Sequence, residues 1–151
     1  MASFNFDGID LISVKFEELS QISDEEKMSV IWPAAELLRD RQMQKLSELF
    51  RKVSGSLAAS ISISKKSDED GVYAHIVPKG KHPASGKGIR KHIHSNGDSS
   101  GTNAEIAYIL EYGSPRIPAS HWMEKTNEEA EAELVAVQQE AWNDLMERKG
   151  F

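Results

Sequence analysis

The longest periodic pattern in the chain predicts a helix from Ser23 to about Val53. Apolar residues recur at helical spacing and share one face: Ile31, Ala34, Leu38, Leu46, Leu49 and Val53. At the helix start, Ser23 and Glu26 have capping-box spacing, in which each side chain binds the other residue's backbone amide. Pro33 lacks an amide hydrogen and predicts a kink or a short break. Ser54-Gly55 predicts the end of this helix.

Two short segments with a period of two predict a β-hairpin. Ile61 and Ile63 would share one face of the first strand, with serines on the other face. The second strand is predicted from Val72 to Val77, and the polar residues 65–71 between them predict the turn.

Residues 104–112 are apolar enough to be buried, but their pattern fits two structures. Ile106, Ile109 and Leu110 fit a short helix, whereas Ile106, Tyr108 and Leu110 fit a strand. The segment stops at Gly113, and prolines in the connection that follows favour extended backbone.

A second long helix is predicted from about Ser120 to Arg148. Its apolar stripe consists of Trp122, Ala130, Leu134, Val137, Ala141 and Leu145. Its first half is crowded with acidic residues, namely Glu124, Glu128, Glu129, Glu131 and Glu133. These acids are spaced as a solvated face rather than as a convergent catalytic pair.

Together these elements predict an α+β fold in a single domain of residues 1–151. We expect an antiparallel β-sheet packed by a kinked helix from the N-terminal half and by the long C-terminal helix. Residues 3–6 predict a short strand or an ordered arm, and a brief helical pattern begins at Ile9. The predicted core consists of Leu38, Leu49, Ile61, Ile63, Val77, Leu110, Trp122, Leu134 and Val137.

A flexible basic loop is predicted at about residues 79–103. Its glycines follow no regular period, and residues 79–94 contain three histidines and no acid. Irregular insertions of this length are usually functional or disordered. We expect the loop to be mobile in an isolated subunit and ordered by a partner or by DNA. Its candidate contact residues are Lys79, Lys81, Lys87, Arg90 and Lys91.

Composition narrows the class of protein. The chain has 151 residues and a formal charge of −6, which disfavours a dedicated nucleic-acid binder, although that value averages a basic loop and an acidic helix. No apolar run predicts a transmembrane helix, and the first residues lack a signal-peptide pattern. The absence of cysteine excludes disulfides, thiolate zinc sites and cysteine nucleophiles.

Candidate chemistry is weak throughout the sequence. His82, His92 and His94 offer imidazole ligands, but zinc needs three or four convergent ligands and groups that orient them, so a solvated loop is the favoured interpretation. Neither Ser54-Gly55-Ser56 nor Ser85-Gly86-Lys87-Gly88 follows a strand and opens a helix, as a nucleophile elbow or phosphate loop requires. We therefore predict no catalytic residue, no metal and no cofactor, and a protein that is not an enzyme.

The basic loop has two candidate kinds of partner. Its five cations would give salt-dependent, sequence-independent contact with phosphates, although residues 79–94 include no phenylalanine, tyrosine or tryptophan for base stacking. The same cations would pair with an acidic neighbour, such as the acidic helix of another copy. The alternative function is therefore a small nucleic-acid-associated binding module that uses residues 79–94.

Three motifs occur in a fixed order along the chain. The first contains Gly55, Leu57 and Ile61 in a Gly-x-Leu-x-x-Ser-Ile pattern. The second precedes the proline-rich connection and contains Tyr108, Glu111 and Gly113, and the third contains Pro118 and Trp122 before the last helix. In order and spacing they resemble the tail-component family of long-tailed bacteriophages, the tail-completion or head–tail joining proteins.

The resemblance implies a structural, non-enzymatic protein of the virion neck or upper tail, assembled in the host cytoplasm. Such a protein forms a ring of its own copies, with a hexamer as one candidate size, and joins the tail tube to the head connector. The implied partners are head connector or adaptor proteins and tail-tube or tail-terminator proteins, with non-specific DNA contact and no membrane. Exposed strand edges, an acidic helix and a basic loop suit contacts that repeat until a ring closes.

Overall fold

A computed structural model of the chain describes residues 21–50, 54–81 and 102–151. These ranges contain the following elements: α1 (Asp24–Leu49), α2 (Ser54–Ser60), β1 (Ile61–Asp68), β2 (Gly71–Pro78), α3 (Asn103–Tyr112) and α4 (Trp122–Arg148). The predicted α+β class, with helices packed on an antiparallel sheet, is confirmed. The strand and brief helix predicted before Ser20 lie outside the described residues.

Helix α1 begins at the predicted capping box. The Glu26 amide donates to Ser23 Oγ over 3.2 Å, and the Ser23 amide donates to Glu26 Oε2 over 2.9 Å. Three acids in the first turn also favour the positive end of the helix dipole. The helix is continuous through Pro33, so the break that was one predicted outcome does not occur. A proline removes one helical hydrogen bond, and here the surrounding packing retains the helix.

The predicted helix end at Ser54-Gly55 is wrong. Helix α1 ends at Leu49, where the Phe50 amide donates to the Leu46 carbonyl, and residues 54–60 form the separate helix α2. Leu57 and Ala58 are both buried in the core, although they are adjacent in sequence. Adjacent residues of a strand point to opposite faces, whereas a helix can bring both into one core.

Strands β1 and β2 form the predicted antiparallel hairpin, in a register that pairs Ile61 with Pro78 and Asp68 with Gly71. The turn is shorter than predicted, because residues 65–68 extend β1 and only residues 69–70 connect the strands. Polar side chains of this extension find partners. The Lys65 ammonium lies 5.1 Å from the centre of the Trp32 ring, and Ser67 Oγ donates to Asp24 over 2.6 Å.

Helix α1 contacts both strands and packs along α4. The two helices are antiparallel, as shown by ion pairs between Glu26 and Lys149, Arg41 and Glu133, and Lys45 and Glu129. Ala34 and Ala35 of α1 are buried. Small side chains of this kind let neighbouring backbones approach closely. Helix α4 thus joins the sheet layer chiefly through α1.

The main core cluster draws on α1, α2, β1, α3 and α4, and consists of Leu46, Leu57, Ala58, Ile61, Ile106, Ala107, Leu110 and Trp122. The predicted core positions Ile61, Leu110 and Trp122 are confirmed. Two predicted core positions are wrong, because Leu49 is 49% exposed at the end of α1 and Val77 is 37% exposed. Strand alternation turns Val77 away from the core that its neighbour Ile76 contacts. The remaining predicted positions are half-buried: Leu38, Ile63, Leu134 and Val137.

None of the helices in the described ranges combines the length and the apolar character needed to cross a bilayer.

The capping box predicts that stability depends on pH through Glu26. Hydrogen bonds from the Lys149 ammonium and then from the Ser23 amide hold the pKa of Glu26 below its ordinary value. A carboxyl whose pKa is lower in the folded state stabilises the fold at neutral pH, and this contribution is lost as the pH falls from about 4.3 through the folded pKa. In the variant Glu26→Gln, the glutamine side chain can still complete the capping box, but it has no carboxyl group to titrate. Its free energy of unfolding, measured by urea denaturation, should therefore fall less steeply than that of the parent between about pH 6 and pH 3.

Lys149→Met is the matched variant, because it removes the main partner and leaves the Glu26 carboxylate in place. It should reduce the same slope, and the double variant should reduce it no further than Glu26→Gln alone. Parental slopes in both single variants would contradict this origin of the pH dependence.

Candidate functional site

Residues of the second and third motifs meet where α3 gives way to α4, in residues 111–124, which we call the α3–α4 joint. The segment before it is a helix, so the helical alternative for residues 104–112 is the correct one. A second capping box starts α3, since the Glu105 amide donates to Thr102 Oγ1 and the Thr102 amide donates to Glu105 Oε2. The Thr-x-x-Glu spacing was present in the sequence and would have decided between helix and strand.

Helix α4 is capped by a residue from another helix. His121, which precedes α4, has left-handed backbone (φ 52°, ψ 41°), and its side chain makes no capping hydrogen bond. The carboxylate of Glu111 takes that role instead, accepting the Met123 amide over 2.7 Å and the Glu124 amide over 3.2 Å. Glu111 is only 5% exposed. A buried carboxylate at a helix N-terminus satisfies free amides and complements the helix dipole.

The backbone of the joint is closed by hydrogen bonds to the last carbonyls of α3. The Ser120 amide and hydroxyl both donate to the Leu110 carbonyl, and the His121 amide donates to the Glu111 carbonyl. Gly113 ends α3 with φ 81°, a conformation that favours glycine. A Cβ atom on Gly113 would lie 2.8 Å from the Ala119 nitrogen and 2.8 Å from the Ile117 oxygen. Only glycine fits this crossing of the two chain segments.

Trp122 anchors the first turn of α4 in the core. Its side chain is fully buried, and its indole Nε1 donates to the Ala107 carbonyl over 3.3 Å. Leu57 and Ile61 of the first motif belong to the same core cluster. The structure therefore brings five of the eight motif positions into one connected region: Leu57, Ile61, Glu111, Gly113 and Trp122. In this region they hold elements together.

The other three motif positions do not contribute to the contacts of this region, although Pro118 belongs to the joint. Gly55 is in the first turn of α2, and Pro118 is exposed in the connection before α4. Tyr108 is 62% exposed and stacks at a tilt on Tyr112, also 62% exposed, with the ring centres 4.6 Å apart. The sequence pattern placed Tyr108 in a buried segment, but helical geometry turns it outward together with Tyr112. This aromatic pair is the outer face of α3.

Glu111, His121 and Glu124 place potential ligand atoms within 4.8 Å of one another. Both Glu111 oxygens already accept backbone amides, and His121 Nδ1 lies 3.1 Å from Glu124 Oε2. The three groups are therefore accounted for by a helix cap and by a contact between the His121 and Glu124 side chains.

The structure describes only the two ends of the basic loop, residues 79–81 and 102–103, which we call the loop base. Lys79 and Lys81 are both exposed. Asn103 joins the two ends of the loop, because its Nδ2 donates to the Lys79 carbonyl over 2.8 Å and its amide donates to the Gly80 carbonyl over 3.0 Å. Asn103 is buried, and its Oδ1 has no hydrogen-bond partner among the described residues. The predicted contact residues Lys87, Arg90 and Lys91, and the three loop histidines, lie outside the described ranges.

Opposite charges lie at opposite ends of α3. The loop base with Lys79 and Lys81 is bonded to the start of α3, whereas the acidic first half of α4 follows the joint at its end. Helix α3, which lies between them in the chain, has ten residues and is about 15 Å long. Glu129 and Glu133 pair with α1, while Glu128 and Glu131 are exposed. Along the described chain, exposed lysines therefore precede α3, and exposed glutamates follow the joint.

Comparison with protein-family models, with curated proteins and with solved structures gave no match.

The joint predicts that Gly113 resists substitution more than a glycine of similar φ. Gly113→Ala should lower the free energy of unfolding by about 1–3 kcal/mol for its glycine-type backbone (φ 81°, ψ 179°) and by about 1–3 kcal/mol more for overlap with the chain at residues 117–119. Gly80 is the matched control, because its φ is 80° and a Cβ there would meet nothing within 4 Å. Gly80→Ala should cost the first amount alone. Equal losses for the two variants in chemical denaturation would contradict the close approach at Gly113.

Proposed function

We propose that this protein is a structural component of a phage neck or upper tail, which forms a ring that joins the tail tube to the head connector. The observation that carries the proposal is the order of charge along the chain, with exposed lysines just before α3 and exposed glutamates in the helix that follows it. The motif resemblance supplies the class of assembly. The proposed role is non-enzymatic, and the proposed partners are the connector or adaptor and the tail-tube or terminator proteins.

The positions that carry the resemblance support a structural role through what they contact. Glu111 caps a helix, Gly113 permits a close backbone crossing and Trp122 fills the core. Side chains with these contacts fix the orientation of α4 relative to α3. In a ring subunit, that orientation sets the angle between the two surfaces that meet neighbouring copies.

Exposed lysines and exposed glutamates in different parts of the chain suit head-to-tail association. When the surface of one copy binds a different surface of the next, the contact repeats and closes into a ring if the rotation allows. Charge complementarity guides such an encounter and opposes wrong pairings. Lys79 and Lys81 of one copy would face Glu128 and Glu131 of the next.

The exposed aromatic pair of α3 lies between these two sets of charged residues in the chain. Tyr108 and Tyr112 expose 62% of their surface each. Tyrosine is enriched in protein interfaces, because its ring buries area while its hydroxyl stays hydrated or bonded. The pair would supply apolar contact in the centre of an interface that has charged residues at its rim.

Charge reversal tests this arrangement. Glu128→Lys with Glu131→Lys, or Lys79→Glu with Lys81→Glu, should raise the concentration at which rings dissociate by at least about tenfold, because each places like charges across the contact. Combining both pairs should restore assembly. Glu140→Lys with Glu147→Lys is the control, since it changes the net charge equally in the other half of α4. Light scattering and negative-stain microscopy report the mass and shape of the assembly.

The protein should be measured alone and with the tail-tube protein of the same virus. A monomer under both conditions would contradict the ring. A ring whose stability responds equally to reversal in either half of α4 would contradict the assigned contact while leaving the ring itself in place.

The nucleic-acid alternative is favoured by the exposed position of Lys79 and Lys81 at the base of the loop. Neutralising the loop's five basic residues separates the two functions: Lys79, Lys81, Lys87, Arg90 and Lys91. Loss of DNA binding in a filter assay with assembly intact would favour the alternative. Loss of assembly would favour the ring.

A further inference from the structure

A groove of about 660 Å³ opens between the first half of α1 and the turn end of the hairpin. Its apolar lining comes from Met28, Trp32 and Pro33 of α1 and from Val72 of β2. Lys65 and Lys66 of β1 line the hairpin side. Apolar surface in a groove of this size stabilises any apolar segment that covers it, because water leaves both surfaces.

We propose that the chain's own N-terminal segment, residues 1–20, covers this groove. The α1 wall of the groove begins at Asp24 and Glu25, in the first turn of α1, and only residues 21–23 lie between this turn and the segment. From Asp24 to Pro33 the wall is about 14 Å long. Twenty residues can extend over more than about 60 Å, so the segment reaches the whole groove even after reversing direction.

The composition of the segment matches the groove. Three of the five phenylalanines of the chain lie in its first 20 residues, at Phe4, Phe6 and Phe16. The other large apolar residues of the segment are Ile9, Leu11, Ile12, Val14 and Leu19. A segment with this many large apolar side chains gains free energy from burial, about 1.5–3 kcal/mol for each fully covered side chain.

Charge adds to the match. The segment contains four acids (Asp7, Asp10, Glu17 and Glu18) and one base, Lys15. Lys65 and Lys66 lie on the hairpin side of the groove. On the opposite wall, the Asp24 carboxylate is already bonded to Lys27 and Ser67. The lysines therefore give the acidic segment a favourable side on which to lie.

Covalent connection favours this occupant over a second copy or another protein. A segment tethered next to its own groove has an effective concentration in the millimolar range. A separate chain would have to exceed that concentration or bind much more tightly. The inference concerns contact within one chain and does not rest on ring formation.

The cysteine-free sequence allows the proposal to be tested in the full chain by placing two cysteines at a time. Ser13→Cys marks the segment, and Ser29→Cys marks the groove, which Ser29 lines. Lys27→Cys is the control. Lys27 lies two residues before Ser29 in α1, so it is about as near to the N-terminal segment along the chain, but its side chain is on the far side of α1 and outside the groove lining. Ser29 and Lys27 are both exposed, so substituting them leaves the core intact.

A short bismaleimide should link Ser13→Cys to Ser29→Cys within one chain at least about fivefold more efficiently than to Lys27→Cys. Phe4→Ser with Phe6→Ser should lower the first yield to that of the control pair, while circular dichroism confirms an unchanged fold. Mass spectrometry separates links within a chain from links between chains. Equal yields for the two pairs, an unchanged yield after the phenylalanine substitutions, or links that form mainly between chains would each overturn the proposal.

Discussion

The arrangement of helices depends on the buried carboxylate of Glu111. Helix α4 starts after a histidine in left-handed backbone whose side chain does not cap it, so its first amides need an acceptor from elsewhere. Both carboxylate oxygens of Glu111 accept these amides from across the joint. The residue just before the first of them, Trp122, is fully buried. Because a buried polar group must keep its hydrogen bonds, a change in the angle between α3 and α4 would expose the Glu111 carboxyl or leave it without partners.

Much of the fold could be predicted from local patterns. The Ser23–Glu26 capping box, the alternation of Ile61 and Ile63 and the helical stripe from Trp122 to Leu145 all depend on neighbours within a few residues, and the corresponding elements exist. The predictions that were wrong depended on tertiary contacts. Leu57 and Ala58 form a helix because both enter one core, and residues 65–68 extend a strand because Lys65 and Ser67 find partners on α1.

The candidate site was less predictable than the fold, for the same reason. Sequence patterns identified Glu111, Gly113 and Trp122 only as motif positions. Nothing local indicates that a glutamate in an apolar helix caps the amides of another helix at Met123 and Glu124. Tyr108 shows the converse case. Its segment is apolar enough to be read as wholly buried, yet a ten-residue helix against one core must expose a face, and Tyr108 and Tyr112 form it.

The Asn103 bridge has a consequence for how such a protein can diversify. It bonds Lys79 and Gly80 to the start of α3. The chain on the two sides of residues 82–101 is therefore held together whatever the length of the segment between them. The entropic cost of closing a loop rises only with the logarithm of the loop's length, by about 0.6 kcal/mol for each doubling. Insertions, deletions or an added tag at this point should therefore alter the surface that the protein presents while the helices and hairpin keep their positions. This makes the segment a natural site for evolutionary variation and for engineering.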